Sequence, residues 1–120
     1  MYYDVSEQFI LLEACKLFIY HHLEQKITLS GLSSVFGVSP QYLSALFKKQ
    51  ENLSPMSFIT KEKIHMSENL LRYSTYSIEE IAVYLGFSSS SHFIRTFRKI
   101  NGISPAKFRR LHFHPAFRTN

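Results

Sequence analysis

Glycine, proline and cysteine are all scarce in this chain: four glycines, four prolines and one cysteine in 120 residues. The lone Cys15 cannot close an internal disulfide, and it lies in an apolar helical pattern where cysteine serves as a small hydrophobe. Four scattered glycines form no phosphate-cradling loop, and no nucleophile with a base or metal-ligand cluster accompanies them, so catalysis is not expected. No cofactor is implied. Long apolar runs are missing too. The greasiest stretch, Phe9 to Leu23, is interrupted by Glu13, Lys16 and two histidines, which excludes a membrane span there. The amino terminus has no basic region leading into an apolar one, so no secretory signal is visible and the cytoplasm is the expected compartment.

Acidic residues are also few, nine against fourteen lysines and arginines, for a net charge of +5. The imbalance is uneven. Residues 1–40 carry two lysines against four acids, net −2, whereas residues 41–120 carry twelve basic and five acidic groups, net +7. Cations gathered on one part of a chain suit a polyanion, and a basic carboxy-terminal two-thirds points to nucleic acid. With 45% hydrophobic residues, the chain has enough apolar surface for one domain or two small lobes.

What the sequence does contain is a repeat. Phe47-Lys-Lys-Gln-Glu-Asn-Leu-Ser-Pro-Met-Ser-Phe58 aligns with Phe97-Arg-Lys-Ile-Asn-Gly-Ile-Ser-Pro-Ala-Lys-Phe108 at an offset of fifty. Upstream, Leu29, Leu32, Phe36, Gly37 and Ser39 align with Ile78, Ile81, Leu85, Gly86 and Ser88 at forty-nine, so one residue is inserted between Ser88 and Phe93. Two copies are too few for a solenoid and describe a tandem of two supersecondary modules. In each, apolar residues at helical spacing reach a glycine turn, and a serine then starts a second helix. Ser39 caps a helix from Pro40 to about Gln50, with Leu43, Leu46 and Phe47 inward and Gln41, Ser44, Ala45 and Lys48 outward. Ser77 caps Ile78–Leu85, with Glu80 completing a capping box. Ser88 to Ser91 open the next helix, with Phe93, Phe97 and Ile100 inward and Ser91, Ile94, Arg95 and Arg98 outward, flanked by Lys99. Asn52 and Gly102 end these two helices in a left-handed backbone, and each following Ser-Pro starts another. Those are a long helix from Pro55 to about Arg72 and a short one from Pro105 to about Leu111. Ahead of both modules, Ser6 to about Gln25 forms an amphipathic helix with Phe9, Leu12, Cys15, Ile19 and Leu23 on its apolar side. The predicted fold is all-α: seven helices, with two helix-turn-helix subdomains (residues 6–54 and 73–111) joined by a long linker helix (55–72) and followed by a flexible tail (112–120).

The chain resembles the DNA-binding domain of the AraC/XylS family of transcription regulators over roughly Ser6 to Leu111. The likeness is carried by Ile78-Glu-Glu-Ile-Ala-Val-Tyr-Leu-Gly-Phe87, Ser91-His-Phe-Ile-Arg-Thr-Phe-Arg-Lys99, Gly102-Ile-Ser-Pro105, Phe108-Arg109 and Lys63-Ile-His-Met-Ser-Glu-Asn-Leu-Leu71. Asn52, Lys63 and Ser67 depart from the family's usual glycine, arginine and alanine, and they concern packing and turns. The resemblance implies sequence-specific binding of double-stranded DNA, with both second helices in successive major-groove segments on one face of bent DNA. Grooves on one face recur every ~34 Å, and a helix over residues 55–72 spans about 27 Å. By the same resemblance Gln41, Ser44, Ala45, Ser90, Ser91, Ile94 and Arg95 are the expected base-facing residues. Ser39, Lys48, Lys49, His92, Arg98 and Lys99 are suited to phosphates. Family members often carry a sensing or dimerisation domain ahead of this unit. The domain itself is therefore expected as a monomer, a full-length protein could dimerise through that missing part, and RNA polymerase is the expected partner of an activator. The expected location is the cytoplasm, on the nucleoid.

Two other readings of these residues bear on function. Phe93 and Phe97 could stack on unpaired bases, but their helical spacing makes them core, which disfavours single-stranded binding. The His21-His22 pair, His112 and His114 have no cysteine or carboxylate at ligand spacing. A helical protein-interaction module without DNA activity stays open as the alternative, with helix 1 and its exposed Tyr20 as the candidate surface.

Overall fold

The computed structural model describes residues 3–114 and resolves seven α-helices with no strand among them. They divide into two compact units, Met1–Thr60 and Lys61–Asn120.

In the first unit, α1 (Val5–His21) begins at Asp4, whose carboxylate accepts the Glu7 N–H at 2.8 Å. It ends four residues short of the expected Gln25, because the chain turns after His21 and the Gln25 N–H reaches the His22 carbonyl at 3.0 Å. That turn lets Leu23 and Ile27 fold back into a core with Leu12, Cys15, Ile19, Leu32, Leu43 and Phe47. Burial pushes the Cys15 thiol up to about 11, so it remains protonated at neutral pH and acts as the small hydrophobe expected. Phe9 does not join this core. It is 61% exposed, because the buried arc of α1 runs through Leu11, Leu12, Cys15 and Ile19 and leaves Phe9 on the other side.

The helix-turn-helix follows. α2 (Leu29–Val35) is capped by Thr28, and α3 (Pro40–Glu51) by Ser39. Between them Gly37 adopts φ +66°, its N–H bonds the Ser34 carbonyl and the Val38 N–H bonds that of Ser33. This paired closure satisfies two carbonyls at the end of α2 and needs a left-handed residue at its pivot.

α4 (Pro55–Tyr73) is one continuous helix. Its first turns put Phe58 and Ile59 into the first unit, where Phe58 meets Phe47 edge-on at 5.4 Å. Its later turns put Ile64 and Leu71 into the second core, with Ile81, Leu85, Phe93, Phe97 and Phe108. The segment read as a linker is thus structural in both units.

In the second unit, α5 (Ile78–Tyr84) starts at the capping box expected of Ser77 and Glu80, bonded at 2.8 and 3.0 Å. Gly86 repeats the turn of Gly37, with φ +75° and the corresponding pair of hydrogen bonds to Val83 and Ala82. α6 (Ser90–Asn101) and α7 (Pro105–His112) complete the unit. Ile100, expected inward, is 46% exposed: it keeps the spacing of Phe93 and Phe97 but sits in the last turn of α6, past the packed core. α7 runs one residue beyond the expected Leu111, and the His114 N–H bonds the Arg72 carbonyl at 2.7 Å. The rest of the expected tail, 115–120, lies outside the described residues.

The three departures from the family pattern each find a place in the fold. Asn52 takes φ +59° at the end of α3. Lys63 is buried, and its ammonium donates to the Leu85 carbonyl at the end of α5, where the helix dipole favours a cation. Ser67 is fully buried and its hydroxyl returns to the Ile64 carbonyl at 2.6 Å.

Candidate nucleic-acid interface

α3 is held from three sides. Ser39 Oγ accepts the Tyr42 N–H at 3.0 Å, Pro40 occupies the first helical position, and Leu43, Leu46 and Phe47 anchor the inner face. Its outer face carries Gln41, Ala45, Lys48 and Lys49, all exposed, with Ser44 half-buried beside them. Ser39 is exposed, but its hydroxyl is already engaged in the cap. Tyr42 is turned inward and packs against Tyr3, with 5.7 Å between ring centres.

α6 has the same length as α3 and the same kind of start, with Ser89 Oγ accepting the His92 N–H at 3.0 Å. The cap is therefore Ser89, and the inserted residue falls in the turn before it. Phe93 and Phe97 are fully buried. Ser91, His92, Arg95, Arg98 and Lys99 are exposed, and Ser90 is half-buried. The His92 ring is fixed from behind: Nδ1 lies 3.1 Å from Ser88 Oγ and the ring meets Phe87 edge-on at 5.4 Å. Ile94 departs from the expectation of an outward residue. It is half-buried and packs against the second core, so only part of it faces outward.

Not every basic residue of the second unit is available to a ligand. The Arg109 guanidinium donates to the carbonyls of Leu71, Leu70 and Ser74 at 3.1, 3.3 and 3.2 Å, closing the end of α4, and burial lowers its pKa. Nothing in the local sequence marks Arg109 as structural, because its partners lie more than thirty residues away. Among the described residues no cluster of His, Cys, Asp or Glu could hold a metal, and no helix is long and apolar enough to cross a membrane.

Two serine-capped second helices, each following a glycine turn and ending in an exposed pair of cations, define a tandem helix-turn-helix protein. The chain belongs to the helix-turn-helix domain family, which it matches over residues 32–111, and within it to the AraC type. It is 38% identical over 102 residues to the HTH-type transcriptional regulator YfiF of Bacillus subtilis, covering 85% of this chain and 32% of that protein. The C-terminal domain of AraT, a response regulator from Geobacillus stearothermophilus, has a TM-score of 0.83 at 27% identity, with 92% of each chain covered. The DNA-binding domain of AdpA, solved with a target DNA, has a TM-score of 0.79 at 25% identity, covering 84% of this chain and 90% of that one. The chain spans between 12 and 44% of the length of the first five curated relatives it matches.

Proposed function

We propose that this chain binds double-stranded DNA sequence-specifically to regulate transcription, without catalysis, with α3 and α6 entering successive major-groove segments. The observation that supports this best is the outer face of α6, where Arg95, Arg98 and Lys99 stand exposed on a helix locked by its cap and by Phe93 and Phe97. Arg95, in the middle of the helix, is assigned to a base edge, since a guanidinium matches the paired acceptors of guanine. Ser90, Ser91 and the outward part of Ile94 flank it, Ile94 offering contact to a thymine methyl. On α3, Gln41, Ser44 and Ala45 take the base-facing role. Lys48, Lys49, Arg98 and Lys99 are assigned to phosphates, with Ser39 and His92 at the helix starts. One chain carries two reading helices, so a monomer suffices for a two-segment site. If the regulator is an activator, RNA polymerase is its further partner, and the nucleoid is where it acts.

The test is titration of duplex DNA at several salt concentrations. Four phosphate-bound cations release about four counterions, so affinity should fall roughly a hundredfold between about 50 and 200 mM salt. Absence of binding at low salt, or binding that ignores salt, would overturn the proposal.

A further inference from the structure

The residue inserted between Ser88 and Phe93 separates two roles that the first copy cannot divide. Ser39, which aligns with Ser88, is itself the cap of α3, and its hydroxyl is occupied by the Tyr42 N–H at 3.0 Å. In the second copy Ser89 caps α6, so the Ser88 hydroxyl is released from capping and lies 3.1 Å from His92 Nδ1. We propose that Ser88 is a positioning residue for His92: its hydroxyl donates to Nδ1, so the neutral imidazole carries its hydrogen on Nε2 and gives it to a phosphate oxygen of duplex DNA. This rests on the assignment of His92 to phosphates and adds the group that readies the ring for it.

Ser88 stands on a fixed piece of backbone. Just before it, the Gly86 N–H bonds the Val83 carbonyl and the Phe87 N–H that of Ala82, both at 3.0 Å. Phe87 is half-buried, with its ring 5.2 Å from that of Phe93 and edge-on to the His92 ring at 5.4 Å. The imidazole is thus exposed yet held by a ring contact and a hydrogen bond, and a side chain oriented in advance loses less rotamer freedom on binding. The chemistry fixes which tautomer serves. With Nδ1 engaged, Nε2 is the nitrogen left for a ligand, and an ionised phosphate oxygen accepts hydrogen bonds but donates none. A serine hydroxyl can donate to Nδ1, which matches the Nε2–H form. The first copy has no such arrangement: the counterpart of His92 is Tyr42, turned inward against Tyr3 at 5.7 Å.

Duplex titration at about pH 8.5, where an imidazole is uncharged, tests the proposal. The probes are a duplex selected from a random pool and a random-sequence duplex. His92→Ala and Ser88→Ala should each weaken binding about two- to tenfold, the worth of one hydrogen bond, and equally on both probes. A neutral donor displaces no counterion, so neither change should alter the slope of log affinity against log salt, unlike Arg98→Ala. Ser88→Ala should add nothing to His92→Ala, and Ser88→Thr, which keeps the hydroxyl, should bind like the parent. Ser88 is exposed and outside the cap, so Ser88→Ala should match the parent in urea unfolding. The proposal is overturned, with the DNA reading intact, if the parent binds and Ser88→Ala binds as well as the parent. It is equally overturned if Ser88→Ala weakens the His92→Ala protein further, or if Ser88→Thr behaves like Ser88→Ala. A parent that binds neither probe at low salt overturns the DNA reading itself.

Discussion

Set side by side, α3 and α6 share a length of twelve residues, a serine cap, a left-handed final residue and two cations in the last turn, Lys48 and Lys49 against Arg98 and Lys99. They differ in the middle. Ala45 corresponds to Arg95, Ser44 to Ile94, and the inward Tyr42 to the exposed His92. The helix ends, suited to phosphates, are common to both copies, and the central turn, suited to bases, is not. On the proposed function, the two copies keep the cations assigned to phosphates and differ in the groups assigned to bases. The divergence reaches the support as well. Arg109 closes the end of α4 at a position where the first copy has Ile59, a buried apolar residue.

This comparison can be broken or sharpened by substitution. The largest effect is expected in the cores: Phe47→Ala and Phe97→Ala each remove a fully buried ring and should each cost about 3 to 5 kcal/mol in urea unfolding. A cost under about 1 kcal/mol for either would show that the two scaffolds are not equivalent. Arg109→Ala should cost about 2 kcal/mol of unfolding free energy, since it leaves the end of α4 without its charged donor. If Arg109→Ala instead weakened DNA binding with stability unchanged, its structural assignment would fail. Arg95→Ala should weaken binding to the preferred site by about 1 to 3 kcal/mol and relax the preference at one or two base pairs. An equal loss on random duplex would contradict base reading. Arg98→Ala and Lys48→Ala should each weaken all sequences alike and lower the slope of log affinity against log salt by about 1. Smallest of all, Asn52→Gly should stabilise the first unit by a few tenths of a kcal/mol and Gly102→Asn destabilise the second by a similar amount, both residues holding positive φ.

Much of this is legible in the sequence. Local rules fixed the caps at Ser39, Ser77 and Ser104, the left-handed ends at Asn52 and Gly102, and the glycine turns, because each depends on residues a few positions apart. The repeat placed α3 and α6, and helical spacing identified most of their exposed faces. What the sequence hid depends on distant partners. Phe9 fits an apolar pattern that α1 in fact presents on two sides, and periodicity alone does not say which side is covered. Ile94 faces partly inward because of the neighbours gathered around α6, and Ile100 faces out because the core ends beneath it. Arg109 and Lys63 count as surface charge in any composition, yet both close helix ends brought near by folding.

The most direct test of one scaffold with two readings is a base-substitution scan across a site selected from random DNA, with Arg95→Ala marking the half read by α6. Substitutions in that half are expected to cost about 1 to 3 kcal/mol each, and those in the half read by α3 clearly less. A scan in which the α3 half is the more discriminating, or in which both halves respond equally, would contradict it.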